Sequence, residues 1–258
     1  MTRSMDGMTV LITGGGGHIG RATGEALAEK GANLALLDKA DTTDFCKDIS
    51  DRFSVRAEQV DADLMDPKAL ENIPTQMQDR FGGCDGLVNN AAFYDDMPGW
   101  GVPFGQEGYE AWMAVMRVNL LAPFFLAQSL TEQLSASGKG SIVNIASIYG
   151  VVGPDHGLYA GTEMTNPAAY AASKGGLIAL SGWLSTVMAP KVRVNTVTPG
   201  GVARGQLPEF VSRYEAKTPL NRMATEQDVS YAIAMLMDPG AGYITGQNLL
   251  VDGGWTAW

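Results

Sequence analysis

The feature that most constrains this chain is a glycine-rich turn near its N-terminus, placed between apolar and helical stretches. Residues 8–13 (MTVLIT) have the composition of a short buried strand and run directly into GGGGHIG at positions 14–20. Residues 21–30 (RATGEALAEK) then follow a helical pattern that stops at Gly31. A strand, a glycine-rich turn and a helix in this order form a phosphate-binding unit, because the glycines let the backbone approach a pyrophosphate and the helix N-terminus favours negative charge.

The next apolar stretch indicates which kind of nucleotide would bind. Asn33–Leu37 (NLALL) has the composition of a second strand and ends at Asp38, 18 residues after Gly20. In a dinucleotide fold, a carboxylate at this distance binds the adenosine ribose hydroxyls and repels a 2′-phosphate. We therefore predict NAD and not NADP as the cofactor, with Lys39 as the neighbouring group that would favour a phosphate. The alternative is a structural turn followed by a solvent-facing acid.

A downstream motif is suited to moving a proton. Tyr170 and Lys174 are four residues apart in NPAAYAASKGG, and Ser147 ends the apolar run SIVNIAS. Asn166 as N-cap and Pro167 as first helical residue predict a helix, on which an i, i+4 pair shares one face. A phenol has an unperturbed pKa of about 10, and a neighbouring ammonium stabilises its phenolate. The pair alone is equally consistent with a core tyrosine and a surface lysine.

Apolar stretches and helical patterns alternate along the chain. Strands are predicted near residues 56–60, 86–89, 141–146, 192–197 and 248–251, and helices near 67–81, 109–133, 167–188 and 226–237. The alternation predicts a single α/β domain over residues 1–258, a doubly wound parallel sheet with helices on both faces. A ligand should bind beyond the carboxyl ends of the strands. The candidate residues there are Asp38, Asp63, Asn89, Ser147 and Pro199.

Composition argues against several classes of protein. The chain has 258 residues with 45% hydrophobic content, which suits one α/β core. A formal net charge of −10 argues against nucleic acid and anionic membranes as partners. We find no apolar run long enough to cross a bilayer and no signal peptide, and Cys46 and Cys84 suit reduced thiols of a cytoplasmic protein. His18 and His156 lack metal-ligand spacing, so no metal is predicted.

Taken together, the motifs are similar to those of a known family. TGGGGHIG, DADL, NNAA, YAASK and PGG occur in that order, with Asn119 in VNL, Ser147 in IAS and the closing stretch ITGQNLLVDGGW. From near Met8 to the C-terminus, the chain resembles the short-chain dehydrogenase/reductase family. The resemblance implies a Rossmann-type fold and an NAD(H)-dependent oxidoreductase that interconverts a secondary alcohol and a ketone. It also implies a homo-oligomer, either a dimer or a tetramer.

The resemblance implies a role for each motif residue. Tyr170 is expected to be the general acid or base, Lys174 to lower its pKa and hold the nicotinamide ribose, and Ser147 to hydrogen-bond the substrate oxygen. Asn119 is expected to keep a helix irregular, so that a backbone carbonyl holds a water near Lys174; otherwise it is a helix-disturbing residue near Pro123. The expected cofactor-binding residues are Gly14, Gly17, His18, Ile19, Gly20, Asp38, Asp63, Leu64, Asn90, Ala91, Tyr170, Lys174, Pro199, Gly200 and Val202.

The glycine-rich turn departs from the family's usual pattern at one position. His18 stands where compact members carry glycine, while Gly14, Gly17 and Gly20 have a spacing more like that of larger, sugar-nucleotide-modifying members. His18 either contacts a phosphate or caps the start of the helix, and we favour the cap because neighbouring glycines already supply amides.

A second departure lies between two of the catalytic candidates. Ser147 and Tyr170 are 23 residues apart, about ten more than is usual in the family, so residues 151–166 form an inserted segment. Both ends of this segment are tied to the predicted catalytic centre. We therefore expect it to cover the substrate and not NAD, with His156 and Tyr159 contacting the substrate together with Ser147.

The loops around the predicted site favour a polar ring as substrate. Trp100, Phe104 and Tyr159 offer faces that stack on a sugar or a base, and Asp95 and Asp96 offer hydrogen-bonding groups; the same loops also suit solvated charge above a core. The stretches PDHGLYAGTEMTNPAAYAASKGG and YITGQNLLVDGGWTAW resemble a subgroup encoded with sialic-acid-like sugar pathways (legionaminic acid, flagellin modification). That resemblance implies a sugar or sugar-nucleotide substrate. The alternatives are a 3-oxoacyl-thioester reductase and, in another class, a non-catalytic dinucleotide-binding regulator.

Overall fold

The protein is built on one parallel sheet. The structure, a computed structural model, describes residues 3–93, 102–162 and 165–258. Within them, seven strands form a single sheet in the order β3-β2-β1-β4-β5-β6-β7, and every neighbouring pair is parallel. The strands are β1 (Thr9–Thr13), β2 (Asn33–Leu37), β3 (Ala57–Val60), β4 (Gly86–Asn89), β5 (Ser141–Ile145), β6 (Arg193–Pro199) and β7 (Asn248–Val251).

Helices connect the strands and cover the sheet. They are α1 (His18–Glu29), α2 (Thr43–Phe53), α3 (Pro67–Glu71), α4 (Ile73–Phe81), α5 (Tyr109–Met116), α6 (Ala122–Ser129), α7 (Thr131–Ala136), α8 (Ala168–Val187), α9 (Pro208–Lys217) and α10 (Glu226–Met237). A π-helical turn, Arg117–Leu121, joins α5 to α6. Short 3-10 turns occupy Phe104–Gln106, Ile148–Gly150, His156–Tyr159 and Pro239–Ala241.

The strands are apolar on both faces because both faces are covered. Val10 and Ile12 of β1 belong to one core, with Leu27 of α1 and Ile233 of α10. Leu11, between them, points to the opposite core, which contains side chains from α4, α6 and α8. Successive side chains of a strand point to opposite faces, so this alternation gives a sheet buried on both sides. The predicted α/β doubly wound architecture is confirmed.

Two predicted helices are interrupted where a proline removes a backbone donor. The helix predicted over residues 67–81 is divided into α3 and α4, and Pro74 in the first turn of α4 has no N–H to continue the helix from Leu70. The helix predicted over 109–133 contains the π turn. Pro123 cannot donate to the carbonyl of Asn119, and Ala122 N donates to Arg117 O instead, one residue further back than in an α-helix.

The start of α8 differs from its predicted form. Pro167, not Asn166, is the N-cap residue, and it makes no side-chain capping bond. The Asn166 side chain is buried and has no hydrogen-bond partner among the described residues. The amide of Ala168 donates instead to Glu107 Oε1 at 3.2 Å, so a residue distant in the chain caps this helix.

The sheet order places a crevice between β1 and β4. From β1 the chain builds outward to β2 and β3 on one side, and then returns to β4, β5, β6 and β7 on the other. Connections leave the carboxyl ends of these two strands in opposite directions, so the space above them stays open. The ends of β1 and β4, Thr13 and Asn89, lie directly opposite each other in the register.

Candidate active site

A cavity of about 590 Å³ opens at this edge of the sheet, within the size range of roughly 300–1,000 Å³ that ligand pockets occupy. Its walls include the glycine-rich turn, the residues that follow β2, β4, β5 and β6, and one face of α8. The same cavity therefore contains both motifs identified in the sequence.

The glycine-rich turn leaves no room for side chains. Gly14 has a φ of +64°, and a Cβ there would lie 2.9 Å from the Cα of Ala91. A Cβ on Gly20 would lie 2.0 Å from the carbonyl oxygen of Gly14, so α1 can approach the turn only without a side chain. The N-cap of α1 is Gly17, with no side-chain cap and no acidic residue in the first turn. This arrangement suits the diphosphate of a dinucleotide, because the first amides of α1 remain available to an anion.

Asp38 is fixed at the end of β2 on the cavity wall. Its Oδ2 accepts a hydrogen bond from Gly16 N at 2.8 Å, and its Oδ1 accepts from Ala40 N at 2.9 Å. The carboxylate is therefore oriented beside the glycine-rich turn, where a ribose next to the diphosphate would lie. Lys39 also lines the cavity, and its Nζ lies 5.7 Å from the ring centroid of Phe93.

Ser147, Tyr170 and Lys174 come together in the same cavity and are all buried. Tyr170 and Lys174 lie one turn apart on α8, and Lys174 Nζ is 5.7 Å from the centroid of the Tyr170 ring. Ser147 follows β5, and its Oγ accepts a hydrogen bond from Tyr149 N at 3.3 Å. A buried phenol, hydroxyl and amine at one cavity wall can hold a substrate oxygen and exchange a proton with it.

Lys174 is the most deeply buried group of this set. Its ammonium nitrogen donates to the carbonyl oxygen of Ile145 at 2.7 Å, at the end of β5. Loss of hydration on burial lowers the pKa of Lys174 to about 7. Near neutral pH this lysine therefore exists in both protonation states, and not only as the ammonium expected from its spacing to Tyr170.

Asn119 lies behind the cavity wall and not on it. Its Oδ1 accepts from Phe93 N at 2.8 Å, and its Nδ2 donates to Ser173 Oγ at 3.2 Å. Ser173 in turn donates to the backbone oxygen of Tyr170 at 2.8 Å. Asn119 lies in the π-helical turn that precedes Pro123, and its side chain connects the loop after β4 to α8.

Most of the expected cofactor residues line the cavity, and two do not. The lining includes Gly14, Gly17, His18, Ile19, Asp38, Leu64, Asn90, Ala91, Tyr170, Lys174, Pro199, Gly200 and Val202. Gly20 is buried behind the turn, against Gly14. Asp63 is exposed, and its Oδ1 accepts from Met65 N, so its carboxylate is engaged outside the cavity.

His18 is the first residue of α1 and does not cap that helix, because the capping position belongs to Gly17. Its side chain is 70% exposed, and its Nδ1 lies 3.9 Å from Glu226 Oε1 of α10. The preferred capping role for His18 is therefore wrong in this structure. The imidazole stays at the rim of the cavity, next to the first turn of α1.

The inserted segment contributes one aromatic side chain to the cavity. Tyr159 is buried, lines the cavity, and has its hydroxyl 2.5 Å from the hydroxyl of Tyr149. Burial raises the pKa of Tyr149, and the bond to Tyr159 partly opposes that rise. His156 is exposed and lies outside the cavity lining. Asp95, Asp96 and Trp100 lie outside the described residues, and Phe104 is 88% exposed.

The structure adds an aromatic wall that sequence analysis did not identify. The ring of Tyr159 is 5.6 Å from that of Phe210, which is 6.0 Å from that of Tyr214, and Tyr214 stacks on Trp255 at 4.4 Å. Phe210 and Tyr214 lie at i, i+4 on α9 and both line the cavity. The i, i+4 spacing of Phe210 and Tyr214 is visible in the sequence, but their ring partners Tyr159 and Trp255 come from distant segments.

No group of three or more histidine, cysteine or acidic side chains forms a metal site within the described parts of the chain. The helical stretch Tyr109–Ser129 is long and apolar enough by composition to cross a membrane. That finding contradicts the expectation that no run of this length exists. Within this stretch, Asn119 hydrogen-bonds to Phe93 in the loop after β4 and to Ser173 of α8.

Comparison with known proteins identifies the class. A family model described as enoyl-(acyl carrier protein) reductase matches residues 16–256. Cis-4-hydroxycyclohexanecarboxylate dehydrogenase of Sinomonas cyclohexanicum is 30% identical over 96% of each chain. The 3-oxoacyl-(acyl-carrier-protein) reductase FabG of Vibrio cholerae is 29% identical over 97% of this chain and 98% of that protein. A short-chain dehydrogenase of Leptospira borgpetersenii, solved with bound NAD+, is 32% identical over 98% of this chain and 94% of that one, with a TM-score of 0.83.

The chain therefore belongs to the short-chain dehydrogenase/reductase family and is an oxidoreductase of that family. Such enzymes use nicotinamide cofactors and act on small molecules. The glycine-rich turn at positions 14–20, from here on called the glycine cradle, and the uncapped start of α1 fit a dinucleotide of this kind. The likeness to the subgroup of sialic-acid-like sugar pathways is not supported by these relatives.

Burial of Lys174 predicts a pH-dependent effect on stability. The pKa of Lys174 is about 7 in the folded protein and near its ordinary value of 10.5 when unfolded, so the unfolded chain binds more protons between these values. The destabilisation by this lysine is full below pH 7 and disappears as the pH rises through that window. Lys174→Met should therefore gain most stability relative to wild type at low pH, and the gain should shrink toward pH 10.

Chemical denaturation of both proteins without ligand, at about pH 6 and about pH 9, measures this difference. Lys191→Met, at an exposed lysine, is the control and should show little change with pH. If wild type and Lys174→Met differ in free energy of unfolding by the same amount at both pH values, the prediction is contradicted.

The position of Asp38 predicts cofactor selectivity. Asp38→Ala should weaken NADH binding by about tenfold, since a carboxylate that accepts from ribose hydroxyls is lost. It should weaken NADPH binding less or improve it, because the repulsion of a 2′-phosphate is also removed. Fluorescence titration with both cofactors measures the ratio, and Asp44→Ala, an exposed acid on α2, controls for net charge. A wild-type preference for NADPH would show that Lys39 outweighs Asp38.

Proposed function

We propose that this protein is an NAD(H)-dependent oxidoreductase that interconverts a secondary alcohol and a ketone on a sugar or sugar-nucleotide. The observation that carries the proposal is that one cavity contains the glycine cradle, Asp38 and the group Ser147, Tyr170 and Lys174. A cradle alone would suit many nucleotide-binding proteins. A cradle next to a buried phenol and amine suits hydride transfer coupled to proton transfer.

The bound nicotinamide supplies or accepts the hydride, and the chain's own residues handle the proton. Tyr170 gives a proton to the carbonyl oxygen in reduction and removes it from the hydroxyl in oxidation. Ser147 donates a hydrogen bond to the same oxygen and polarises it. Lys174 favours the phenolate form of Tyr170 when it carries its proton. Asn119 acts as a positioning residue, through Ser173 and the backbone of Tyr170.

The choice of NAD over NADP rests on Asp38. Its two oxygens are held by Gly16 and Ala40, so the carboxylate is oriented before the cofactor arrives. A 2′-phosphate at the adenosine ribose would meet this negative charge. The NAD+ bound to the Leptospira relative agrees with this choice.

A ring as substrate is supported by the aromatic wall. Tyr159, Phe210 and Tyr214 offer apolar faces, and the hydroxyls of Tyr149 and Tyr159 offer hydrogen bonds at the same end of the cavity. A hydroxylated ring has the same combination of apolar faces and polar edges. The Sinomonas relative, by its name, oxidises a hydroxylated six-membered ring.

A 3-oxoacyl-thioester reductase is the second candidate, because the Vibrio relative carries that activity in its name. The formal net charge of −10 argues against docking of an acidic carrier protein. Turnover of NADH or NAD with cyclic polyols, sugars, sugar-nucleotides and an acetoacetyl thioester separates the two candidates. Preference for the thioester would overturn the ring proposal, and cofactor binding without any turnover would favour a dinucleotide-binding regulator.

We further propose a cytoplasmic homo-oligomer, either a dimer or a tetramer. Large apolar side chains are exposed on two helices, Trp183 and Val187 on α8 and Tyr231 and Met235 on α10. Such patches on a folded protein favour association. Cys46 and Cys84 are both buried free thiols, and burial raises the pKa of Cys84 to about 12, so reduced cysteines are stable here.

Tyr170→Phe tests the proton donor directly. The ring and its packing remain, so NADH binding should persist, whereas turnover should fall by a factor on the order of 10² or more. Steady-state kinetics and NADH titration on the same preparation give the two results. Near-normal turnover by Tyr170→Phe, or loss of turnover in Tyr159→Phe instead, would assign the proton transfer elsewhere.

Tyr159→Phe tests whether the inserted segment belongs to the substrate site. It removes the bond between the hydroxyls of Tyr149 and Tyr159 and keeps the ring on Phe210. The KM for the substrate should rise by roughly 2- to 10-fold, with little change in NADH affinity. Tyr243→Phe, at a fully exposed tyrosine, makes the same chemical change as a control. A changed NADH affinity with an unchanged KM would place the segment at the cofactor instead.

A further inference from the structure

The loop after β6 places one arginine beside the start of α1. A single oxygen, Glu226 Oε1, lies 3.9 Å from His18 Nδ1 and 4.0 Å from Arg204 Nε. His18 is the first residue of α1, so Glu226 links the Arg204 guanidinium to the side chain at the start of this helix. Arg204 and His18 both line the cavity that contains the glycine cradle.

Hydrogen bonds within the chain hold the backbone that carries Arg204. Val202 forms a parallel bridge with Ala224, and Ala203 N donates to Ala224 O at 2.9 Å. Arg204 N donates to the side chain of Gln206 at 2.7 Å, and that side chain also donates to Val202 O at 2.8 Å. A side chain on such a loop loses little backbone freedom when it binds.

The guanidinium of Arg204 has N–H donors that can bind a further acceptor. Its contact with Glu226 is 4.0 Å long, which is an ion pair beyond hydrogen-bond distance. No hydrogen bond joins this guanidinium to another side chain or carbonyl of the described chain, although arginine has five N–H donors. Its side chain is only 32% exposed, so the charge lies partly within the cavity wall.

Arg204 is one of three cations that line the cavity in the described part of the chain. Among the described lining residues, the lysines and arginines are Lys39, Lys174 and Arg204. Lys174 is bound to the carbonyl of Ile145, and Lys39 follows Asp38 at the other end of the cradle. Arg21 also lies at the turn, but its Nε donates to the carbonyl oxygen of Gly16 at 2.8 Å, and it is not part of the cavity lining. Among the described lining cations, Arg204 is therefore the one placed to meet a diphosphate at the start of α1, in addition to the helix amides.

We propose that Arg204 pairs with the diphosphate of the bound dinucleotide and leaves Glu226 to do so, an assignment that rests on the dinucleotide site of the proposed function. The guanidinium adds a full charge and a two-pronged donor to a cradle otherwise built from backbone amides. Glu226 then keeps its contact with His18. In this role Arg204 is a cofactor-binding residue that recognises the diphosphate and not adenine.

Binding of ADP-ribose, which has the diphosphate without the nicotinamide, tests this role independently of turnover. Displacement of NADH fluorescence gives the dissociation constants of ADP-ribose and adenosine for wild type, Arg204→Gln and Arg204→Lys. Arg204→Gln should weaken ADP-ribose by on the order of tenfold or more and leave adenosine unchanged, and its ADP-ribose affinity should depend less on salt. The ADP-ribose affinity of Arg204→Lys should lie between those of wild type and Arg204→Gln, because lysine keeps the positive charge but lacks the two-pronged donor of the guanidinium.

Arg52→Gln removes the same charge from the exposed face of α2 and should bind ADP-ribose like wild type. Wild-type affinity for ADP-ribose in Arg204→Gln would overturn the role of Arg204 alone, and a raised KM for substrate in that variant would assign Arg204 to the substrate instead. A wild-type protein that binds neither NADH nor ADP-ribose would overturn the dinucleotide site itself, and the Arg204 role with it.

Discussion

The candidate site depends on one constraint: all seven strands of the sheet run in the same direction. Their carboxyl ends therefore meet at one edge, and every residue that directly follows a strand arrives there. Asp38 follows β2, Ser147 follows β5, and the loop with Arg204 follows β6. The reversal of strand order at β1 and β4 leaves space between these residues, so the edge becomes a cavity and not a closed core.

Within that cavity, polar groups are buried at a cost to stability. Lys174 is almost fully removed from water and has one carbonyl as its hydrogen-bond partner, and its lowered pKa reflects that cost. Asn119 is also buried, but both ends of its amide are satisfied by Phe93 and Ser173. The Asn119 network keeps the backbone around Tyr170 in place, whereas Lys174 remains free to titrate near neutral pH.

The sequence predicted what depends on local pattern. The strand bounds of β2, β4 and β7 and the helix α10 are as predicted, because apolar runs and flanking turns mark them clearly. Helices α2 and α9 were missed, since each buries only a few side chains on an otherwise polar surface. The glycine-rich turn was recognised from its spacing to neighbouring elements, and the pair on α8 only together with the other family motifs; both line one cavity.

The substrate end could not be predicted, because its contacts join segments that are far apart in the chain. Tyr159 meets Phe210 of α9, and Tyr214 stacks on Trp255 near the C-terminus. Neither a periodic pattern nor a motif indicates such a stack. The placement of His156 outside the lining shows the same limit, since a residue's position within a loop does not set the direction of its side chain.

The cap of α8 has a consequence for how this fold can be recombined. The amide at the start of the catalytic helix is satisfied by Glu107, which lies in a different loop and also accepts from the indole of Trp112 at 3.3 Å. The helix and that loop are therefore structurally coupled, although a long stretch of chain separates them. A chimera that takes Tyr170 and Lys174 from this protein and the loop from a relative would leave the helix without its terminal acceptor, so the two segments have to be exchanged together.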